Sequence, residues 1–274
     1  MPELPEVETV RRGLLTHAVG RTISKAEQLH PRALNPKSIG KLQSIEGARI
    51  LDVQRRGKFL WFVLNRPEVI AAHLGMSGQF LINPVDHRHT RARFGLRKGL
   101  KSSELHFNDQ RTFGWVSIEE TESGFPTSVR SIAPDIFEDL YDQKSVISNI
   151  RRRNIAIKTA ILNQNIVSGI GNIYADESLW LAKVHPEKRA NEMIAADLER
   201  VLESAKEVME KAIEVGGTSF DDLYINVNGE SGYFDISLNA YGQEDEPCSR
   251  CGKLIRRIKF ANRSSHFCPK CQKL

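Results

Sequence analysis

The sequence predicts a mixed α+β protein: an N-terminal β-sandwich led by one helix, then a helical domain ending in a small four-cysteine module. Three observations carry this. Short apolar runs broken by turn residues fill positions 20–120. An apolar stripe of helical period runs through 191–215. All four cysteines fall between Cys248 and Cys271. At 274 residues the chain is long for one domain, taking about 150 residues per domain.

Residues 5–15 read as a short helix, with Pro5 in its first turn and Val7, Val10 and Leu14 on one face. Candidate strands follow at Arg49–Val53, Lys58–Leu64, Val69–Leu74, Gln79–Ile82, Ala92–Arg97, Glu104–Asn108 and Gly114–Ile118. Short strands at this spacing suggest an antiparallel sandwich or barrel. Residues 119–135 lack periodicity, contain Gly124, Pro126 and Pro134, and read as the approach to a linker. Beyond about 136 the chain reads as helical. Ile155–Gln164 and Asn172–Val184 flank a glycine-punctuated turn, a candidate helix–two-turn–helix. Asn191–Val215 is the clearest helix, with Ile194, Leu198, Val201, Ala205, Val208 and Ala212 as its core stripe and Gly216-Gly217 as its stop. Phe220–Gly232 reads as a loop. The expected domains are 2–130, 131–239 and 240–274.

Composition is that of a globular chain, 40% hydrophobic and 27% charged. The longest purely apolar run is Phe59–Leu64, far short of the roughly 20 residues a membrane span needs. The start, Met1-Pro2-Glu3-Leu4-Pro5-Glu6, is acidic and proline-rich, unlike a secretory signal, so a cytoplasmic protein is expected. The 39 basic residues outnumber the 34 acidic ones, for a net charge of +5. From Ala240 to Leu274 eight basic residues face three acidic ones, so this tail holds the whole excess. A concentrated basic module suggests a polyanion partner.

The cysteines Cys248, Cys251, Cys268 and Cys271 are spaced C-x2-C-x16-C-x2-C. That spacing matches tetrahedral ligation of one zinc ion by four thiolates; two disulfides are the alternative, disfavoured where thiols stay reduced. Four sulfurs close the coordination sphere, so such a zinc is structural.

The N-terminus carries the other chemistry. Removal of Met1 would leave Pro2 with a free secondary amine, partly unprotonated near neutral pH. Its attack on a carbonyl-level carbon yields a cationic iminium, an electron sink that promotes elimination at the neighbouring carbon. Glu3 and Glu6, three apart, can supply a general acid or base and suit a helix start.

Pro2-Glu3-Leu4-Pro5-Glu6-Val7-Glu8-Thr9 resembles the start of the bacterial formamidopyrimidine-DNA glycosylases. Arg55-Arg56-Gly57-Lys58, His73-Leu74-Gly75-Met76-Ser77-Gly78, Asp109-Gln110-Arg111-Thr112-Phe113-Gly114, Gly169-Ile170-Gly171-Asn172-Ile173-Tyr174 and the terminal cysteine module follow in that family's order. The resemblance implies a monomeric repair enzyme that excises 8-oxoguanine and ring-opened purines from damaged duplex DNA. Pro2 is then the nucleophile at the sugar C1′ and Glu3 the general acid. Lys58 assists β-elimination and Arg263 δ-elimination, while Glu6 caps its helix. His87, Arg111, Arg153, Asn172 and Arg263 are implied DNA contacts. Met76, Arg111 and Phe113 are the implied wedge that fills the space of a flipped-out base.

Two places depart from the family pattern. The finger reads Phe260-Ala261-Asn262-Arg263, where many members have glycine or glutamine before the arginine. The lesion-covering loop Gly216–Tyr224 looks one residue longer and lacks the basic residue many members carry near Asp221. Two rivals share features with this reading. An endonuclease VIII-like glycosylase usually has glycine at the position of Leu4. A non-catalytic zinc-finger DNA binder gives no reason for the Pro2-Glu3 start.

Overall fold

The computed structural model describes residues 2–38, 40–85, 88–216 and 238–274. The chain changes from one compact unit to a second between Ser131 and Ile132.

The first unit opens with α1 (Leu4–Ala18), longer at both ends than the periodicity predicts. Its first turn is capped from within: the Glu6 carboxylate accepts the Glu3 N–H at 2.8 Å. Leu4, Val7, Val10, Leu14 and Ala18 are buried. Nine strands follow: β1 (Thr22–Gln28), β2 (Ile50–Arg56), β3 (Phe59–Leu64), β4 (Glu68–His73), β5 (Gly78–Ile82), β6 (Thr90–Lys98), β7 (Lys101–Asp109), β8 (Trp115–Glu122) and β9 (Phe125–Pro126). They form two antiparallel sheets, ordered β1-β6-β7-β5 and β2-β3-β4-β8-β9. One core joins both sheets and α1. Phe62 of β3 meets Phe80 of β5 edge-on, ring centres 5.5 Å apart, and Phe80 packs against Phe107 at 5.2 Å. This is the expected sandwich with a leading helix.

All seven predicted strands form; the two-residue β9 is an addition, and so is β1. Its sequence, Thr-Ile-Ser-Lys-Ala-Glu-Gln, buries only Ile23 and Ala26, and a bulge between Ile23 and Lys25 breaks the two-residue period that would mark a strand. β8 also runs through Glu122, four residues past the predicted end, its last turns exposed and paired with β9.

The second unit contains α2 (Gln143–Arg151), α3 (Ile157–Ile161), α4 (Asn172–Ala182), α5 (Ala195–Glu214) and the hairpin β10 (Arg256–Phe260) with β11 (Arg263–Phe267). Asp142 caps α2, accepting the Lys144 N–H at 3.0 Å. The helix predicted over 155–164 is only five residues long. Gln164 instead turns back as a staple: its amide nitrogen donates to the carbonyls of Leu162 and Ile170, and its oxygen accepts the Gly169 N–H at 2.9 Å. The predicted 191–215 helix starts at Ala195 because Ala190–Glu192 forms a 3-10 turn. Ile194 is therefore an N-cap, 62% exposed and outside the core, and buried Met193 takes the anchoring place. Of the rest of the stripe, Leu198, Val201, Ala205 and Ala212 are core, joined by Leu202 and Met209, while Val208 is only half-buried because Met209 takes the inward place beside it. The loop expected at 220–232 lies outside the described residues.

Glu8 ties α1 to the β2–β3 turn. Its carboxylate accepts from Arg11 Nε at 2.8 Å and from Arg55 Nε at 3.1 Å, and Arg55 Nη1 donates onward to the Gly57 carbonyl. Burial works to raise the Glu8 pKa, but the Arg11 hydrogen bond and the Arg55 charge outweigh it and hold it at about 2, below the ordinary 4.5. A carboxyl depressed on folding stabilises the fold fully above pH 4.5 and loses that contribution as the pH falls toward 2. Glu8→Gln is expected to cost about 1–3 kcal/mol at neutral pH. The gap to the unaltered protein should narrow between pH 4.5 and 3, as measured by urea unfolding. An equal gap at both pH values would contradict this.

Candidate active site and nucleic-acid interface

In the first unit, Pro2 and Glu3 stand at the N-terminus of α1, both buried, with Glu3 2% exposed. The positive end of the helix dipole lies here, where it favours a carboxylate. Lys58 follows Gly57 in the β2–β3 turn, where φ is +54°. The sequence places this lysine on a strand edge, yet it is only 7% exposed. The Glu8–Arg55–Gly57 chain of contacts therefore links the helix that carries Pro2 and Glu3 to the turn that carries Lys58.

His73, at the end of β4, registers the charge on Lys58. Burial first, and the Lys58 cation second, lower its pKa to about 4. It is therefore neutral near pH 7, and Nδ1 accepts the Gly75 N–H at 3.1 Å. The ring packs on Phe59, centres 4.8 Å apart, and lies nearly parallel to Trp115. This histidine fixes the start of the loop that carries Met76.

Met76, Arg111 and Phe113 occupy two loops, β4–β5 and β7–β8, and none of them is strand core. Met76 is 36% exposed and Phe113 59%, among the larger exposed apolar side chains of the unit. The Arg111 guanidinium lies 5.4 Å from the Phe113 ring centre. An aromatic, a thioether and a guanidinium held out from a sheet end are chemically suited to entering a base stack. His87 lies outside the described residues, as does the lesion-covering loop from residue 217 onward.

In the second unit, α4 is buried on every side and carries two carboxylates inward. Asp176 binds Lys158 Nζ at 2.6 Å, with neither side chain exposed. It also accepts the Ser265 hydroxyl at 2.8 Å and the His266 N–H at 2.9 Å. Lys158 donates further to the Ser264 carbonyl, which also receives the Asn172 amide at 3.1 Å. Glu177 accepts the backbone N–H groups of Asn239, Ala240 and Tyr241. Burial raises the Glu177 pKa in spite of these donors. Strand β11 is thus clamped to the helices along Ser264–His266, and the segment 239–241 before the cysteines is held by Glu177. Arg263 is exposed at the hairpin tip, after Ala261 in the left-handed region at φ +50°. Asn172, at the first turn of α4, keeps a buried Oδ1 with no partner among the described residues. Arg153 is exposed just after α2.

The four cysteine sulfurs lie within 4.8 Å of one another, and all four are free thiols, not disulfides. Tetrahedral zinc–sulfur bonds of about 2.3 Å put ligand sulfurs roughly 3.8 Å apart. Cys251 and Cys268 stand at 3.5 Å. Trp180 of α4 donates its indole N–H to Cys248 Sγ at 3.4 Å, and the Cys271 N–H reaches Cys268 Sγ at 3.4 Å. Donors aimed at sulfur suit thiolates. The cluster fits one structural zinc, held by Cys248, Cys251, Cys268 and Cys271. Neither periodicity nor motif marks Lys158, Asp176, Glu177 and Trp180 in the sequence. The available signal was a pair of adjacent carboxylates inside a helix otherwise apolar all round.

Three family models match the chain: the formamidopyrimidine-DNA glycosylase N-terminal domain over residues 1–116, the H2TH domain of the same enzymes over 132–223, and the zinc finger found in FPG and IleRS over 245–274. The chain belongs to the formamidopyrimidine-DNA glycosylase family. It is 50% identical to the formamidopyrimidine-DNA glycosylase of Corynebacterium glutamicum strain R, over 100% of this chain and 99% of that one. It is 51% identical to that of Rhodococcus erythropolis, covering 99% and 97%. Among solved structures, a Lactococcus lactis FPG mutant in complex with Fapy-dG DNA superposes with a TM-score of 0.89 at 35% identity, with both chains fully covered. The Thermus thermophilus MutM (FPG) protein gives 0.86 at 33% identity, covering 99% of this chain and 98% of that one.

The cysteine module has little apolar core of its own beyond the four sulfurs, Ile255 and the Trp180 and Ala240 it packs on. Cys248→Ser is expected to lower bound zinc from about one ion per chain toward none and to abolish tight DNA binding. Metal analysis by atomic emission, with a DNA titration on the same sample, checks both. Tight binding by zinc-free protein would contradict the structural role.

Proposed function

We propose that this base-excision repair enzyme, a DNA glycosylase and abasic-site lyase by family, excises 8-oxoguanine and formamidopyrimidines through a Schiff base on Pro2. The observation that supports this reading best is the coupling of two sites in the first unit: the buried Pro2-Glu3 start of α1, and the Lys58 turn tied to that helix through Glu8 and Arg55. Once Met1 is removed, the Pro2 nitrogen attacks C1′ of the damaged nucleotide. Glu3 gives its carboxyl proton as the sugar ring opens, and the damaged base departs as the C1′ iminium forms. The cation acidifies the C2′ proton. Its loss expels the 3′ phosphate, with Lys58 as proton donor. A second elimination, with Arg263 as donor, expels the 5′ phosphate and leaves a one-nucleotide gap.

The DNA-contact assignments follow the same proposal. Met76, Arg111 and Phe113 fill the space of the flipped nucleotide, and His87, Arg153, Asn172 and Arg263 bind the backbone. The unpartnered Asn172 Oδ1 and the exposure of Arg153 and Arg263 are consistent with a partner outside the chain. The functional segments are 2–130, 131–239 and 240–274, acting as a monomer on damaged duplex DNA. Leu4, in place of glycine, favours oxidised purines over pyrimidines as the main substrates. Among the described residues no helix is long and apolar enough to cross a membrane. We place the enzyme in the cytoplasm, on the nucleoid.

Borohydride reduction on an 8-oxoguanine duplex is expected to trap a covalent adduct whose sugar maps to the N-terminal peptide by mass spectrometry. An adduct on Lys58 or another lysine would refute the mechanism. Any residue added ahead of Pro2 should abolish trapping, and Pro2→Gly should retain some. Glu3→Gln is expected to bind damaged DNA normally and to lose about a hundredfold or more in base release.

A further inference from the structure

The loops that carry Met76, Arg111 and Phe113 meet at one side chain. Asp109, the last residue of β7, is fully buried. Its Oδ1 accepts the Ser77 hydroxyl at 2.6 Å and the Arg111 N–H at 3.2 Å; its Oδ2 accepts the Gly114 N–H at 2.6 Å. The Ser77 oxygen accepts the same Arg111 N–H at 3.0 Å. Asp109 is itself held: its N–H donates to the His89 carbonyl and its carbonyl accepts from Arg91 Nε at 2.7 Å.

Two further observations show that the loop needs holding. Thr112, between Arg111 and Phe113, sits at φ +56°, a costly conformation for a β-branched residue. Gly75 and Gly114 bring the two loops together backbone to backbone: a Cβ on Gly75 would lie 2.4 Å from the Gly114 nitrogen. Neither loop can shift alone.

We propose that Asp109 is a positioning residue for base eversion, its carboxylate holding both loops in the conformation in which Met76, Arg111 and Phe113 enter the duplex. The proposal rests on the reading of those three as the wedge. Asp109 touches neither DNA nor the reacting atoms, and acts by keeping a strained loop at its working geometry before substrate arrives.

The test uses the full-length, zinc-loaded protein lacking Met1, in single-turnover assays on two duplexes. One carries 8-oxoguanine, whose excision needs eversion of a stacked base. The other carries a preformed abasic site. Asp109→Asn and Ser77→Ala are each compared with Phe113→Ala, alone and combined with it. The expected result is a loss of roughly tenfold or more in 8-oxoguanine excision for Asp109→Asn, a smaller loss for Ser77→Ala, and abasic cleavage within about twofold of the unaltered protein. Combined with Phe113→Ala, each change should cost clearly less than the product of the two single losses, because part of its effect passes through the Phe113 ring. Normal excision by Asp109→Asn and Ser77→Ala overturns the proposal. So does equal loss on both duplexes, which marks general destabilisation, or full additivity with Phe113→Ala. Normal excision by Phe113→Ala together with losses in the other two would show that the wedge reading has failed, and this proposal with it.

Discussion

A carboxylate taken out of water must be met by donors, and in this protein the donors are the segments that do the work. Glu6 accepts the Glu3 N–H, Asp109 those of Arg111 and Gly114, Asp176 that of His266, and Glu177 those of Asn239 to Tyr241. Glu8 is met by side chains instead, and the Arg55 that meets it holds the Lys58 turn. None of these carboxyl groups belongs to a residue more than 7% exposed. Each hydrogen bond adds little by itself, whereas leaving a buried charge unmet costs several kcal/mol. The arrangement therefore acts as a set of constraints on geometry: the Pro2-Glu3 start, the two loops proposed as the wedge and the cysteine module each end on a buried carboxyl group.

Thr112 and Ala261 are two of six non-glycine residues in the left-handed region among the described residues, one between Arg111 and Phe113 and the other at the tip of the finger. Both precede a residue proposed to meet DNA, Phe113 and Arg263 respectively by one and two positions. The sheets behind the first loop are packed with interlocking phenylalanines, and the hairpin below the second is clamped by Asp176 and Lys158. A scaffold of this kind can hold an unfavourable backbone because moving it would break several buried contacts together.

Much of this was legible in the residues. Strands β2 to β8 showed because their apolar runs are short, regular and closed by turn residues, and the zinc cluster because the cysteine spacing has few other uses. Strand β1 was hidden by its bulge. The start of α5 was misplaced because Ile194 continues an apolar period that the 3-10 turn breaks. The ion pair of Lys158 and Asp176 was illegible for a different reason: its partners lie 18 residues apart, and the hairpin groups that complete it lie some 90 further on, so no local pattern reports them. Asp109 stood within a recognised motif, but what it does depends on a loop 32 residues earlier. Local periodicity reports which face is buried; it does not report which polar groups meet across the fold.

The cysteine cluster sets a chemical limit on the enzyme. Oxidants that damage guanine also convert thiolates to sulfenic and then sulfinic acids. Cys248 and Cys268 are buried, but Cys251 and Cys271 are only half-buried, so attack begins on that side. Loss of one sulfur leaves three ligands, and the module that carries the Arg263 hairpin has little apolar core besides the cluster. The exposure that creates the substrate thus threatens the means of removing it, and thiol reductants can restore the cluster only at the sulfenic stage.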